Sequence, residues 1–581
     1  MDLISSRYRK PKGRPTKRRK MLAENSKKRW QKSSKTVDEK NSNSMVLQRD
    51  TLSEPSTSSQ PEESYIFTHK AVFSELLQKV PCKYCTNCTF VIKQHHSMGY
   101  STKMELLCES CHESYGSVFS SFQDAKNSHD INSKLVSAFL SIGRGHAALE
   151  TFSSVLNMPT MDRKTFAKCM HNLSVKNKEV KKKMLEMSRQ AAREAHVKVD
   201  ASLKNQEIID VSVSYDGTWQ KRGHTSNLGL GIIIDILSGL VLDFEVLSKY
   251  CHNCVVAGRD MGVDSAEFHI WQKGHADECD KNFDGTSGAM EMHAALIMWR
   301  RSISDCQMRF VSMLSDGDSK TFQFLSDNKI YGSDIKIEKE ECLNHIAKRL
   351  GTSLRNKVKE WKVKKKVTLG GRKQGSLTDK NITKLQNYYR KAIKDNVPDT
   401  DKMKTAIYAS LMHCSSTDKK PMHGKCPEGE SSWCFYKRAI AKGETPGSHS
   451  SMKTYLSPQV VEKIMPVYQR LASDTILERC VAGKTQNSNE SLHSCIWRKC
   501  PKEVFVSKRR LEIAVTDAIE KHNLGYVKSL EAKEDSCLID SFSLTIAERQ
   551  DKRRISQNIS TKQKRKRNAT NTNAAYSAGA F

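Results

Sequence analysis

Asp216 lies at the end of a run in which Ile209, Val211 and Val213 alternate with Asp210, Ser212 and Ser214. That is the period of a strand with one buried face. Gly217 follows at once. A second apolar, strand-like run, Met308 to Leu314, ends in Ser315-Asp316-Gly317-Asp318. Either Asp316 or Asp318 therefore stands on a turn just past a buried strand. A third carboxylate, Glu490, lies in the polar stretch 484–493, followed by Leu492, Ile496 and Trp497. This places it near the start of a helix packed on a sheet, where a helix N-terminus suits both a carboxylate and phosphate oxygens. Carboxylates gathered this way can hold hard divalent ions such as Mg²⁺ or Mn²⁺. Such ions activate a water and stabilise the leaving oxygen of a phosphodiester. Glu291, in SGAMEMHAA, is a lesser acidic candidate that reads as capping or packing a helix.

Cysteine and histidine supply the other chemistry. The charged N-terminus has no apolar segment behind it, so it does not read as a secretory signal, and the chain reads as intracellular. Its 18 cysteines are then expected to be reduced, several of them on metal. Cys82-x-x-Cys85 and Cys108-x-x-Cys111 have the spacing of a zinc ribbon, in which four thiolates close a tetrahedral Zn²⁺ site. Cys88 leaves the first pair open, since Cys85 and Cys88 make an equally good knuckle. Cys251, Cys254, His275 and Cys279 form a second tetrahedral set. Cys342 and His345 are three residues apart, which on a helix puts both on one face. Two ligands do not close a zinc site, so this pair reads as a packed cysteine with an orienting histidine. His413, His423, Cys426 and Cys434 surround CPEGESSWC and are a further zinc candidate whose spacing matches no common finger.

The elements that must position these groups follow from the pattern. Leu228–Ile236 and Leu240–Leu247 read as strands joined by the turn residues Ser238-Gly239. Three antiparallel strands with a carboxylate on the first is how an RNase H-like nuclease core begins. The predicted fold class is α/β, a mixed-sheet RNase H-like core preceded by a small zinc ribbon and a helical region. Residues 1–64 read as a disordered basic tail, 66–125 as the zinc ribbon and 128–205 as helical with a possible DNA-binding role. Residues 206–500 read as the catalytic region, interrupted by a zinc clip at 251–279 and a helical insertion at 355–480. Residues 501–581 read as helical and then a disordered basic tail. In the first tail, Lys12 and Arg14 lie in a Pro-Lys-Gly-Arg-Pro segment resembling a minor-groove hook. Lys17, Arg18, Arg19 and Lys20 fit nuclear import. The net charge of +31, from 96 basic against 65 acidic residues, favours a polyanionic partner. No apolar run is long enough to span a bilayer.

Six motifs in order carry a family resemblance: YDGTWQKRGHTS, GLVLDFEVLSKYCHNC, KNFDGTSGAMEMHAA, MLSDGDSK, ECLNHIAKRLG and GKTQNSNESLHSCIW. Over roughly residues 75 to 505 the chain resembles a Mutator-like transposase domain. The resemblance implies an RNase H-like core with a DDE triad on Asp216, Asp316 and Glu490. It places the family's Cys-x-x-His on Cys342 and His345, with a helical insertion before the glutamate. It also implies two-metal cleavage and strand transfer of double-stranded DNA, transposon ends and target alike, by a homo-oligomer in the nucleus. The alternative expectation is a domesticated, non-catalytic DNA-binding protein that keeps the fold.

Overall fold

The alternation around Asp216 becomes the central strand of a five-stranded sheet. The structure is a computed structural model describing residues 65–575, apart from 124–127, 222–224, 318, 365–368, 372, 505 and 534–540. Lys12, Arg14, Lys17, Arg18, Arg19, Lys20 and the alternative Asp318 lie outside the described residues.

A small antiparallel sheet comes first: β1 (Phe90–Met98), β2 (Ser101–Cys108) and β3 (Ser114–Phe119). Three helices follow, α1 (Asp130–Ser141), α2 (His146–Leu156) and α3 (Arg163–Val199). The apolar spacing across 132–156 predicts continuous helix, but the chain breaks between α1 and α2. Gly143 there takes φ +78°, a left-handed conformation that glycine adopts without strain.

The main sheet contains β4 (Ile209–Trp219), β5 (Leu228–Asp235), β6 (Val241–Ser248), β7 (Met308–Ser315) and β8 (Glu338–Glu341), in the order β6-β5-β4-β7-β8. β4, β5 and β6 pair antiparallel, whereas β7 runs parallel to β4 and β8 parallel to β7. Between β6 and β7 come α4 (His252–Met261), α5 (Ala266–His275) and α6 (Ala289–Arg300). After β8 the chain builds α7 (Leu343–Lys364), α8 (Asp379–Lys394), α9 (Thr400–Cys414), α10 (Phe435–Ala441) and α11 (Pro458–Leu471). It then returns through α12 (Asn487–Lys499), α13 (Lys508–Asn523) and α14 (Ser541–Ala575).

Helices cover the sheet on both faces. On one, Ile209, Val211, Val213 and Tyr215 pack with Met290, Ala294 and Trp299 of α6. On the other, Leu228, Leu230 and Ile232 pack with Met184 of α3, Leu492 and Ile496 of α12 and Leu511 and Val515 of α13. Every β5 residue is buried, as a doubly covered strand requires, and its sequence is correspondingly apolar up to Asp235. Gly217 and Gly231 are register partners that let α6 approach. A Cβ on Gly217 would come within 2.9 Å of the Glu291 side chain, and one on Gly231 within 3.0 Å of Ala294.

The helical insertion has its own core, from Leu343, Ile346 and Leu350 of α7 to Ile464, Tyr468 and Leu471 of α11. It therefore begins at the first turn of α7, twelve residues before the expected boundary at 355. Near the C-terminus, α14 runs through Lys562–Arg567, which the sequence reading assigns to a disordered tail. The stretch 541–575 holds no proline or glycine to stop a helix.

Candidate active site and metal centres

The two aspartates come from neighbouring parallel strands, Asp216 from within the carboxyl-terminal half of β4 and Asp316 from just past the end of β7. β4 and β7 pair with Ser214 opposite Leu314, and continuing that register brings Asp216 beside Asp316. Burial, followed by the Asp316 charge, pushes the Asp216 carboxyl up to about 7, with a further push from Glu490 and opposition from His345. Such a group resists ionising unless positive charge joins it.

Glu490 occupies the first turn of α12, where its sequence context predicts it. Its Oε1 lies 3.3 Å from His345 Nε2 and 3.2 Å from Lys348 Nζ, both on α7. Burial works against its charge, but Lys348 and His345 hold the carboxyl below its ordinary range. Cys342 stands just before α7 rather than inside it, and its carbonyl accepts from the His345 N–H at 2.9 Å. A separate side-chain hydrogen bond, between the Cys342 sulfur and the imidazole, leads the causes that raise His345 to about 9. A protonated ring suits its position, since Nδ1 meets Gln486 Oε1 at 3.1 Å and Nε2 meets Glu490.

Two residues that sequence reasoning missed complete this region. Buried Gln486 donates through Nε2 to the Tyr215 carbonyl at 2.8 Å and to the Leu314 carbonyl at 3.5 Å. It thus joins the strand ends that carry Asp216 and Asp316 while its oxygen takes the His345 proton. His493 places Nδ1 3.5 Å from Asp216 Oδ2, and burial brings its pKa down to about 4, leaving a neutral ring. Gln486, Glu490 and His493 are spaced i, i+4, i+7, one helix face, and that spacing is the signal that could have found them. Glu291 lies against Gly217, consistent with a packing role.

Two clefts flank the acidic centre. One, about 690 Å³, is lined by Asp316, His345, Lys348, Arg349 and Arg470. The other, about 620 Å³, is lined by Gly217, Lys221, Glu291, Lys320 and Lys502.

Among the described residues, three Cys/His groups have ligand atoms all within 4.8 Å of one another and could bind zinc. The acidic trio is not such a group. The first contains Cys82, Cys85, Cys108 and Cys111, with Cys82 Sγ 3.7 Å from Cys111 Sγ and Cys85 Sγ 3.6 Å from Cys108 Sγ. Cys88 is exposed and outside it. The second contains Cys251, Cys254, His275 and Cys279. Its Cys251 Sγ lies 3.3 Å from His275 Nε2, and Cys254 Sγ 3.5 Å from Cys279 Sγ. The third contains His413, His423, Cys426 and Cys434.

Fold and site together define a mixed α/β protein with an acidic centre at adjoining strand ends and Cys/His clusters suited to zinc. The chain belongs to the Mutator-like transposase family, whose model matches residues 63–434. Its function is thus transposase-related, and membership implies DNA binding. The matched stretch includes Asp216, Asp316, Cys342 and His345 and ends before Glu490. No curated protein matches the chain. No helix among the described residues is long and apolar enough to cross a membrane.

Proposed function

We propose that this protein is a metal-dependent DDE transposase with an RNase H-like core, cutting DNA at the ends of its element and joining them to target DNA. The observation that supports this reading is the parallel pairing of β4 with β7, whose register, continued past Ser214 and Leu314, brings Asp216 beside Asp316. Glu490 reaches the same region from the first turn of α12. The donors fit a hard divalent ion: carboxylate oxygens, with Asp216 held near 7 by burial first and by the Asp316 charge second. Asp216, Asp316 and Glu490 would hold Mg²⁺ or Mn²⁺, which when bound activates water for attack on phosphorus and stabilises the departing 3′-oxygen.

The chain's own residues do the rest. Gln486 fixes the two strand ends relative to each other. His345 and Lys348 hold Glu490 at the rim of the site. Lys348, Arg349 and Arg470 on one side, and Lys221, Lys320 and Lys502 on the other, would neutralise backbone phosphates of a strand crossing the carboxylates. The freed 3′-hydroxyl would attack target DNA at the same centre. The Lys17–Lys20 run supports nuclear import, and pairing of two ends requires a homo-oligomer.

One observation favours a second reading, a domesticated DNA-binding protein without catalysis: the Glu490 carboxylate is already ion-paired with two bases. Cleavage of a duplex carrying the element's own ends, with Mg²⁺ or Mn²⁺, separates the two. Cuts at the element boundary that vanish in Asp216→Asn and in Glu490→Gln are the expected result. End binding without cutting in any of the proteins would favour the second reading.

A further inference from the structure

Far along the chain from Asp216, the helical insertion gathers a second, differently built centre. His413 stands in the last turn of α9, His423 and Cys426 in the loop beyond it, and Cys434 caps α10. All four are buried. His413 Nδ1 lies 3.2 Å from His423 Nδ1, and Cys434 Sγ lies 3.4 Å from His423 Nδ1. Cys426 Sγ is 3.7 Å from His413 Nδ1 and 3.8 Å from His423 Nδ1. A tetrahedral ion bonded at about 2.0 Å to nitrogen and about 2.3 Å to sulfur sets N···N edges of about 3.3 Å and N···S edges of about 3.5 Å. The observed separations are close to both.

What lies behind His423 goes beyond four converging ligands. Its second nitrogen, Nε2, meets Nε2 of buried His449 at 2.8 Å, and Nδ1 of His449 meets the Asp418 carboxylate at 2.6 Å. Ser416 Oγ lies 3.0 Å from both Nε2 atoms. With Asp418 ionised and both rings neutral, only one assignment of protons satisfies this chain. Asp418 accepts from His449 Nδ1–H, so the neutral His449 ring presents a bare Nε2. That Nε2 accepts from His423 Nε2–H, and the His423 lone pair is left on Nδ1, pointing at His413, Cys426 and Cys434. A carboxylate behind a ligating histidine fixes its tautomer and raises its basicity; here the same effect is transmitted through one more imidazole.

We propose that His413, His423, Cys426 and Cys434 bind a structural Zn²⁺ through two nitrogens and two sulfurs, and that Asp418 and His449 act as positioning residues that hold His423 in its ligating tautomer. The ion closes the segment between α9 and α10, which among its described residues contains turns but no helix or strand. It fixes that segment to a helical layer whose first helix carries His345 and Lys348. The proposal does not depend on the catalytic reading.

Zinc content and X-ray absorption of the full-length protein, purified without added metal, test it. Three filled centres predict about three zinc ions per chain, with on average about three sulfurs and one nitrogen each. Two ions with about three and a half sulfurs each, the signature of the first two clusters alone, would overturn the proposal without any variant that must fold. Cys426→Ser/Cys434→Ser should lose one zinc and shift the average toward sulfur; retention of all three ions would also overturn it. Asp418→Asn and His449→Gln should keep three zincs but release one to a competing chelator with about 10- to 100-fold lower affinity. Release unchanged from wild type in both variants would remove the Asp418–His449 chain from the proposal.

Discussion

At the scale of single residues, the acidic centre is held in tension. Asp216 is driven up to about 7 by burial and by Asp316, so its ionisation opposes folding. The sign follows from linkage: a carboxyl raised in the folded state destabilises it progressively from the unfolded value of about 4 to the folded value, and by a constant amount above. Asp216→Asn should therefore stabilise the metal-free protein at pH 8, by on the order of 2–4 kcal/mol. The gain should shrink toward zero near pH 4, as measured by urea denaturation in the presence of a chelator. Mn²⁺ should raise the Tm of the wild type and leave that of Asp216→Asn unmoved; equal responses would argue against metal held at Asp216. Gln486 makes the opposite prediction. Gln486→Ala leaves the Tyr215 carbonyl and a His345 N–H without their buried partner, at a cost of about 1–3 kcal/mol for each such group. A measured loss below about 0.5 kcal/mol would mean that water takes its place. The local settings of Asp216, Asp316 and Glu490 were legible: the first continues an alternating strand, the second follows one and the third begins a helix. Gln486 and His493 share a helical face with Glu490, but the groups they meet lie about 140–280 residues away in sequence, so their spacing marks the face and not its partners.

At the scale of elements, what was legible is what alternates. β4 announces itself by one buried face, and β5 and β6 by apolar runs around Ser238-Gly239. The parallel placing of β7 beside β4 is carried by no residue pattern. It depends on the crossover through α4, α5 and α6, and with it comes the meeting of Asp216 and Asp316. The start of α7 was missed for a related reason: Cys342 and His345 have helical spacing, yet Cys342 stands at the boundary, bonded to β7 through Ser315. The helix that carries Glu490 is anchored by charge as well as by its apolar face. Asp517 of α13 lies 2.6 Å from Lys499 at the end of α12 and 2.9 Å from Lys521. Burial opposes its charge, but these lysines and Lys533 bring its pKa down to about 2. A carboxyl lowered on folding stabilises in full above about pH 4 and loses that contribution as the pH falls toward 2. Asp517→Asn should accordingly cost on the order of 2 kcal/mol at pH 7, and the difference from wild type should close by pH 2. A difference that persists at pH 2 would show that packing, not ionisation, holds α12 to α13.

At the scale of the whole molecule, the question is how much of the +31 charge acts at the centre and how much in the basic runs toward the two ends of the sequence. A net charge cannot answer it, because every lysine in a chain raises affinity for DNA somewhat. Position can. The clefts beside the carboxylates present Lys348, Arg349 and Arg470 on one side and Lys221, Lys320 and Lys502 on the other. If a strand crosses the site, each of these that meets a phosphate releases condensed counterion, and the slope of log K against log salt falls by about 0.9 when it is removed. Replacing Lys221, Lys320 and Lys502 together by Gln, in an Asp216→Asn background so that nothing is cut, should lower the slope for end DNA by nearly 3. Three glutamines in the N-terminal run, at Lys17, Arg18 and Lys20, should lower it equally for end DNA and for unrelated duplex, since phosphate contacts alone carry no sequence information. The cleft variant differs in a second way: under the proposed function a strand led over Asp216 and Asp316 is cut there, so with Asp216 restored it should lose cleavage beyond what its weaker binding explains. An unchanged slope with cleavage intact would move the DNA path away from these lysines and leave the opposite cleft, with Lys348, Arg349 and Arg470, as the route to the carboxylates.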